Sequence, residues 1–490
     1  SIVEMNSFRQ SGVTLMGCNG TKDNFIKRRR PKSPTFGRLR TESNRDIQSD
    51  CVRGRPNVSD RARRSLLRSS NTHLEVNVRD RTIATMAALL IAGGCSPDGS
   101  NAVFPANVAL RPNTSSGYTV TVLTSLGGTN SAANTINARG WAMGTSFLSG
   151  NVVMHAALWQ GSTPTDLETL GGPNSAVEWP VENDRGYVSG ISETDKKDKL
   201  GESTGWSCHA FLPDGGTSGD TCVGFVWHDG KMLALPTLGG ENGFGAGMNQ
   251  RGLIAGWAET KKHDSTCLGP QVLQFLPTVW NAYTRKVSAL PTLTVNGKTD
   301  PDGAATAVNI GGEVIGISGI CDEAVGRFTA RHALLWKNRK PVELKTIGGT
   351  SWNTPTAING SGQIVGFLNR PGKADRQGDP NFISVIWSDP SSKPTRIGTL
   401  SGDTLSEPTS INDKGAVLGV SFPSSDVYVW QSGQLTDLTK LVLQTYPQLR
   451  LVSVGGIDDR GEIAGQACEL VSEACPSSNP TLVTFLAVPK

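Results

Sequence analysis

Residues 411–419 read "INDKGAVLG", and the chain writes this phrase, with substitutions, seven times. The others are "INARGWAMG" (136–144), "ENDRGYVSG" (182–190), "MNQRGLIAG" (248–256), "VNIGGEVIG" (308–316), "INGSGQIVG" (358–366) and "IDDRGEIAG" (457–465). An Asn or Asp, a Gly three residues on and a second Gly four beyond that keep fixed spacing throughout. Asn or Asp at the head of a tight turn caps its own backbone, and the first Gly takes the positive φ that lets two antiparallel strands continue. The phrase therefore predicts a hairpin corner. A Gly inside the return strand suits close approach of a neighbouring backbone.

Two further phrases frame each corner. Upstream stand "LTSLGG" (123–128), "LETLGG" (167–172), "LPTLGG" (235–240), "LKTIGG" (344–349) and the degraded "LPTLTV" (290–295), "IGTLSG" (397–402) and "LTKLVL" (438–443). Downstream comes an apolar run usually closed by Trp: "HAALW" (155–159), "GFVW" (224–227), "PTVW" (277–280), "HALLW" (332–336), "SVIW" (384–387), "VYVW" (427–430) and finally "TFLAV" (484–488). Six of the eleven Trp residues fill this slot, which marks them as core. The repeat is 46 to 66 residues long and offers four strand-sized pieces. Such sheets bury both faces only when stacked radially, and a closed ring leaves no exposed end. The expectation is an all-β chain forming a seven-bladed β-propeller of four-stranded antiparallel blades over 117–490. The last unit ends at "TFLAVPK" without a fourth strand, and "GYTVTVL" (117–123) is a fourth strand with no unit before it. The N-terminal strand is expected to complete the last blade.

The three recurring phrases, "INxxGxVxG", "HAxLW" and "LxTLGG", resemble those of the HAF-repeat family of bacterial extracellular proteins over 118–490. Glu182 before the Asn in unit two and Asp458 for Asn in unit seven depart from that pattern. The resemblance implies export and repeat architecture, and brings no catalytic residue to transfer.

Charge divides the chain. Residues 1–81 hold 18 of the 47 Lys and Arg but 8 of the 43 Asp and Glu, leaving 29 basic against 35 acidic residues over 82–490. The body is thus mildly acidic, and its overall charge recruits no nucleic acid. The basic segment 1–77 reads as disordered sequence or as translated upstream sequence outside the native protein, with a start at Val76, Val78 or Met86, in preference to a basic arm for nucleic acid or a nuclear address. Residues 78–95 follow the order of an export signal: two Arg, an apolar run from Thr82 to Ile91 too short to span a bilayer, small residues, then Cys95. "AGGC" looks like a lipoprotein box with Ala92 where Leu is usual, making Cys95 a lipidation candidate that would anchor the protein to the membrane, so the expected location is secreted or, as a lipoprotein, the outer membrane or cell surface. Residues 96–116 read as a linker.

Export makes disulfides the natural reading of Cys208, Cys222, Cys267, Cys321, Cys468 and Cys475. Cys208 with Cys222 and Cys468 with Cys475 would each staple one loop, and Cys267 with Cys321 would bridge two neighbouring units. No CxxC spacing occurs, so no zinc site is expected, and no cofactor is called for.

The interval from the second Gly to Trp is 15 residues in unit one, 37 in unit two, 24 in unit three and 11 in unit six. Insertions confined to one face of a repeat scaffold commonly build its binding surface. Candidate binding residues on that face are Trp206, His209, Glu193, Asp195, His263, Asp264, Asp322, Arg327 and Trp352. "GESTG" (201–205) lacks the strand-to-helix context of a nucleophile elbow, and "DPDG" (300–303) reads as a turn rather than a calcium loop. His155 and His332 share one repeat position and read as edge-strand packing. Two functions follow: a monomeric, exported or surface-displayed binding propeller for a glycan, peptide or protein, or a secreted hydrolase or lyase. For the second, Glu178, Glu193, Asp264 and Asp322 are the residues to test.

Overall fold

A computed structural model describes residues 117–204, 208, 210–213, 219–321, 330–350, 352–372 and 381–490. Each repeat folds as its phrases require. In unit three, Gly239–Met248 pairs with Leu253–His263, which pairs with Leu273–Asn281, which pairs with Val287–Ala289, all antiparallel. Units two, four, five and six repeat this four-strand order. Units one and seven lie in one eight-stranded sheet, joined by a parallel bridge between Asn130 and Leu482. Its eighth member is Tyr118–Leu123, which runs antiparallel along Leu482–Pro489 from Tyr118 opposite Pro489 to Leu123 opposite Thr484. That strand occupies the place of the fourth strand missing from unit seven.

This is a β-propeller. The first strand of every unit lies against the third strand of the unit before it, and the first strand of unit one lies against Leu482–Pro489 of unit seven. First and second strands are largely buried, as in Asp302–Val308 and Val314–Gly319, and fourth strands such as Lys340–Glu343 are largely exposed. The third-strand Trp residues bind this stack together: Trp159, Trp280, Trp336 and Trp387 are buried. Their indole N–H groups donate to the carbonyls of Thr124, Pro236, Pro291 and Lys345, at 2.7–2.8 Å, each in the crossing that leads into the unit.

The opening phrase does two jobs. At the corner of unit six the Asn412 Oδ1 accepts the N–H groups of Lys414 and Ala416, and Gly415 has φ +75°. The amide nitrogen of the same side chain donates to the Asp458 carbonyl of unit seven at 2.8 Å. Asn137, Asn183, Asn249, Asn309 and Asn359 do likewise, each reaching the carbonyl of the next unit's Asn at 2.8–3.1 Å. Six side chains thus form a ladder from corner to corner. It stops at Asp458, because a carboxylate has no proton to donate. The second Gly also has one cause in all units. A Cβ there would fall within 2.5 Å of a first-strand carbonyl oxygen, such as that of Ala132 at Gly144 or Glu407 at Gly419. In six units that Gly faces a register shift in the first strand, whose bulge turns the carbonyl inward.

The three disulfides join Cys208 to Cys222, Cys267 to Cys321 and Cys468 to Cys475. One phrase differs from its reading: "LTKLVL" is an α-helix, Leu438–Leu443, capped by the Asp437 carboxylate accepting from Lys440 N at 2.8 Å. With no Gly to turn the chain, Leu438 and Val442 bury one face of a helical turn against the core instead. No helix among the described residues is long and apolar enough to cross a membrane. The segments 1–77, 78–95 and 96–116, with Cys95, lie outside the described residues.

The ladder predicts a graded loss. Asn249→Asp keeps the acceptor for Arg251 and Leu253 but loses the donor to Asn309, whereas Asn249→Ala loses both. Calorimetry should find Asn249→Ala the less stable of the two, with losses of about 1–3 kcal/mol. An Asp variant melting with the wild type would contradict the ladder.

Candidate binding site

The face that carries the long insertions is held by buried carboxylates. In unit three, three residues after the second Gly, Glu259 accepts the N–H groups of Glu241 and Asn242 at 3.1 and 2.8 Å. In unit two, Glu193 at the same repeat position accepts the N–H and side-chain amide of Asn174 at 3.0 and 2.8 Å. Asn174 and Asn242 in turn accept from Met154 and Cys222 of the preceding unit. These acids clamp strand entries rather than face a ligand.

Unit two's insertion is pinned to unit three. Glu202, fully buried, accepts from Val272 and Leu273 N–H at 2.9 and 2.6 Å and from Gln271 Nε2 at 3.1 Å. The same Gln271 nitrogen lies 3.1 Å from Glu259, so the two acids share one amide. Burial pushes Glu259 up to about 7, helped by the Glu202 charge, and burial raises Glu202 as well. Phe211 of the insertion stacks on Phe244 at 4.8 Å and meets Trp179 edge-on at 5.6 Å. Lys199 pairs with Glu241 across the same gap.

Unit three's insertion is pinned to unit four. Beside the Cys267–Cys321 disulfide, Thr266 Oγ1 accepts the Cys321 N–H at 3.0 Å. Asp264 and Asp302 meet there. Asp302 is 1% exposed and accepts the Phe275 N–H at 2.9 Å through Oδ1, while its Oδ2 and the Oδ2 of Asp264 find no donor among the described residues. The two orphan oxygens are explained if the pair holds one proton between them. Burial, and then the Asp264 carboxyl, push Asp302 up to about 8. Burial also acts upward on Asp264, but hydrogen bonds from Asp302 and Thr266 bring it below the usual range.

A third group of acids marks the opposite face. Glu182, where other corners carry an apolar residue, is pushed up to about 8 by burial and then by Asp413, Asp459 and Asp184. Those carboxylates come from units six, seven and two, and Asp459 Oδ1 accepts the Asp413 N–H at 2.7 Å. Glu178 has Asn134 Nδ2 at 3.3 Å, and burial pushes it up to about 8.

Of the sequence candidates, Asp195 and His263 are exposed and Asp264 is half-buried against Asp302. Glu193 is corrected: it is 1% exposed, because its carboxylate is consumed by Asn174. Trp352 is corrected as well. It is 4% exposed and packs edge-to-face on Phe382 at 5.1 Å, an aromatic in a loop turned inward to fill the end of unit five. Trp206, His209, Asp322 and Arg327 lie outside the described residues. His155 and His332 pair with fourth-strand carboxylates, Asp166 at 2.8 Å and Glu343 at 2.7 Å. Cys267, Cys321 and Asp302 stand close enough to share a metal ion, but the sulfurs are consumed in the disulfide. The sequence reading missed Glu202 and Gln271 and took Asp302 for a turn residue. The equal spacing of Glu193 and Glu259 after their glycines was the available sign of a structural role.

No family model and no curated protein sequence matches the chain. Among solved structures, the chain is similar to the β-propeller domain of Cps50 (Swd1) from Myceliophteria thermophila, at 11% identity and TM-score 0.40, covering 74% of this chain and 98% of that one. It is also similar to an extracellular domain, that of BT4673 from B. thetaiotaomicron, at 10% identity and TM-score 0.40, covering 76% of this chain and 40% of that one. A chain of the Mitotic Checkpoint Complex aligns at 11% identity and TM-score 0.38, over 82% of this chain and all of that one.

The Asp264–Asp302 pair gives a pH signature. Asp302 titrates near 4 in the unfolded chain and at about 8 in the native one. Between those values the native state holds a proton that the unfolded chain has lost, so stability falls as pH rises from 4 to 8. Asp302→Asn keeps the shape and removes this slope. Melting temperatures at pH 5 and pH 8.5 should drop more in the wild type than in the variant, by a few degrees. Parallel pH profiles would show that the pair shares no proton.

Proposed function

We propose that the chain is an exported, monomeric binding protein, a closed seven-bladed propeller whose ligand sits on the insertion face of units two to four. Closure is supported by the contact between unit one's first strand and unit seven's third strand, and by Tyr118–Leu123 lying in the sheet of the last repeat. Kinship with the HAF-repeat proteins, export through 78–95 and lipidation at Cys95 belong to the same reading, as does a glycan, peptide or protein ligand.

One observation carries the binding role. The three insertions are fastened to one another, by Glu202 onto residues 271–273, by the Cys267–Cys321 disulfide and by the Asp264–Asp302 pair. An insertion merely tolerated needs no such bracing, whereas a surface that must hold one shape for a partner gains affinity from being rigid beforehand. The hydrolase reading rests on Asp264 with Asp302, two carboxyls with separated proton affinities. Asp302 is too buried to meet a substrate, and Glu193 and Glu259 are spent on backbone amides. The acids there favour holding loops over chemistry.

A glycan and peptide array probed with the wild type and with a variant in which 199–218 is replaced by a short Gly-Ser turn, with Cys222→Ser, tests this. The array should yield a ligand whose binding the variant weakens by about tenfold or more. Equal binding by both proteins, or no ligand at all, contradicts the reading.

A further inference from the structure

The regular face also carries an organised surface. The residue two after the Asn is basic in five of the seven corners: Arg139, Arg185, Arg251, Lys414 and Arg460, all exposed. The units concerned, six, seven, one, two and three, follow one another around the propeller. Between the first three of these cations lies a continuous aromatic strip. Arg139 stands 5.0 Å over the ring of Trp141. Trp141 and His228 both border Gly186, each with an atom 4.0 Å from where its Cβ would be. His228 stacks on Tyr187 at 3.8 Å, and Tyr187 meets Tyr283 edge-on at 5.1 Å. Tyr283 lies against the bare backbone of Gly252, is 45% exposed, and its hydroxyl is 3.4 Å from Arg185 Nη1.

Such a strip is not needed to close the corner, since the corners of units four and five turn identically with Glu313 and Gln363 in the place of Trp141 and Tyr187. Trp141, Tyr187 and His228, half-buried, and Tyr283, exposed, offer apolar area beside guanidinium groups that contact them, in a body that is otherwise acidic. The geometry points to a second binding site here, for an acidic polysaccharide whose sugar rings lie along Trp141, Tyr187 and Tyr283 and whose carboxylates meet Arg139 and Arg185. The closeness of charge to ring favours a uronate chain over nucleic acid: Arg139 stands over Trp141 and Arg185 meets the Tyr283 hydroxyl, and a uronate bears its carboxylate on the sugar ring itself, whereas a nucleotide's phosphate is held away from its base by the ribose. The site is independent of the insertion face.

Affinity electrophoresis in polygalacturonate, in dextran and with single-stranded DNA as competitor tests the inference. The wild type should be retarded by polygalacturonate and not by dextran, and DNA should compete weakly. Tyr283→Ala and Arg185→Gln should each weaken retardation by about tenfold, with melting temperatures unchanged; if Tyr283→Ala loses fold, the exposed Arg139→Gln serves in its place. The variant lacking 199–218 should be retarded like the wild type. Absence of retardation, retention unchanged in the corner variants, or competition by DNA as strong as by free polygalacturonate would overturn the site. Loss in the 199–218 variant alone would move the saccharide to the insertion face.

Discussion

The side-chain amide of the corner Asn is the constraint on which the rest depends. It carries an acceptor and a donor on separate atoms of one short tip, so one residue can hold its own turn through Oδ1 and its neighbour through Nδ2. Local turn chemistry and long-range packing are thereby written into the same position. Where Asp458 replaces Asn the donor is gone, and other groups hold that joint. Gln466 Nε2 donates to Asn130 Oδ1 at 2.9 Å and Ser131 O at 3.1 Å, and Thr484 N–H donates to Ser131 Oγ at 3.1 Å. The N-terminal strand adds its ladder, with Val120 N–H donating to the buried Tyr446 hydroxyl at 3.0 Å.

Much of this architecture was legible in the sequence because it is local. A Gly that must take positive φ, a Gly that must leave room for a carbonyl and a Trp that closes the third strand each announce themselves by residue type at fixed spacing. The missing fourth strand of unit seven and the orphan strand at 117–123 were legible as a mismatch of ends. The candidate site was less legible, since burial there depends on which insertion lies over which unit. Glu193 reads as an exposed acid in a polar loop until Asn174 is placed against it. Asp302 reads as a turn residue until Asp264 arrives from another unit. Trp352 reads as a surface anchor until Phe382 shows the direction of its loop.

The two faces divide the work. On one, irregular insertions are tied down by buried acids that keep protons near neutral pH, coupling the firmness of that surface to acidity. On the other, the same repeat position supplies cations to a row of corners while aromatic residues fill the gaps between three of them. Substitutions at the Asn and Gly positions should act through stability, and those at the positions between them through recognition.

The central claim is the closure proposed above, seven units held as one ring with six joints made corner to corner and the seventh by Gln466, Thr484 and the N-terminal strand, and native-state hydrogen exchange tests it most directly. In a ring, no first strand can open without breaking the joints on both sides. The slowest amides in all seven first strands, Ala305 and Ser410 among them, should therefore exchange with one common free energy of opening. First strands of units one and seven that exchange well before the others would show an open stack with frayed ends, and would contradict the account.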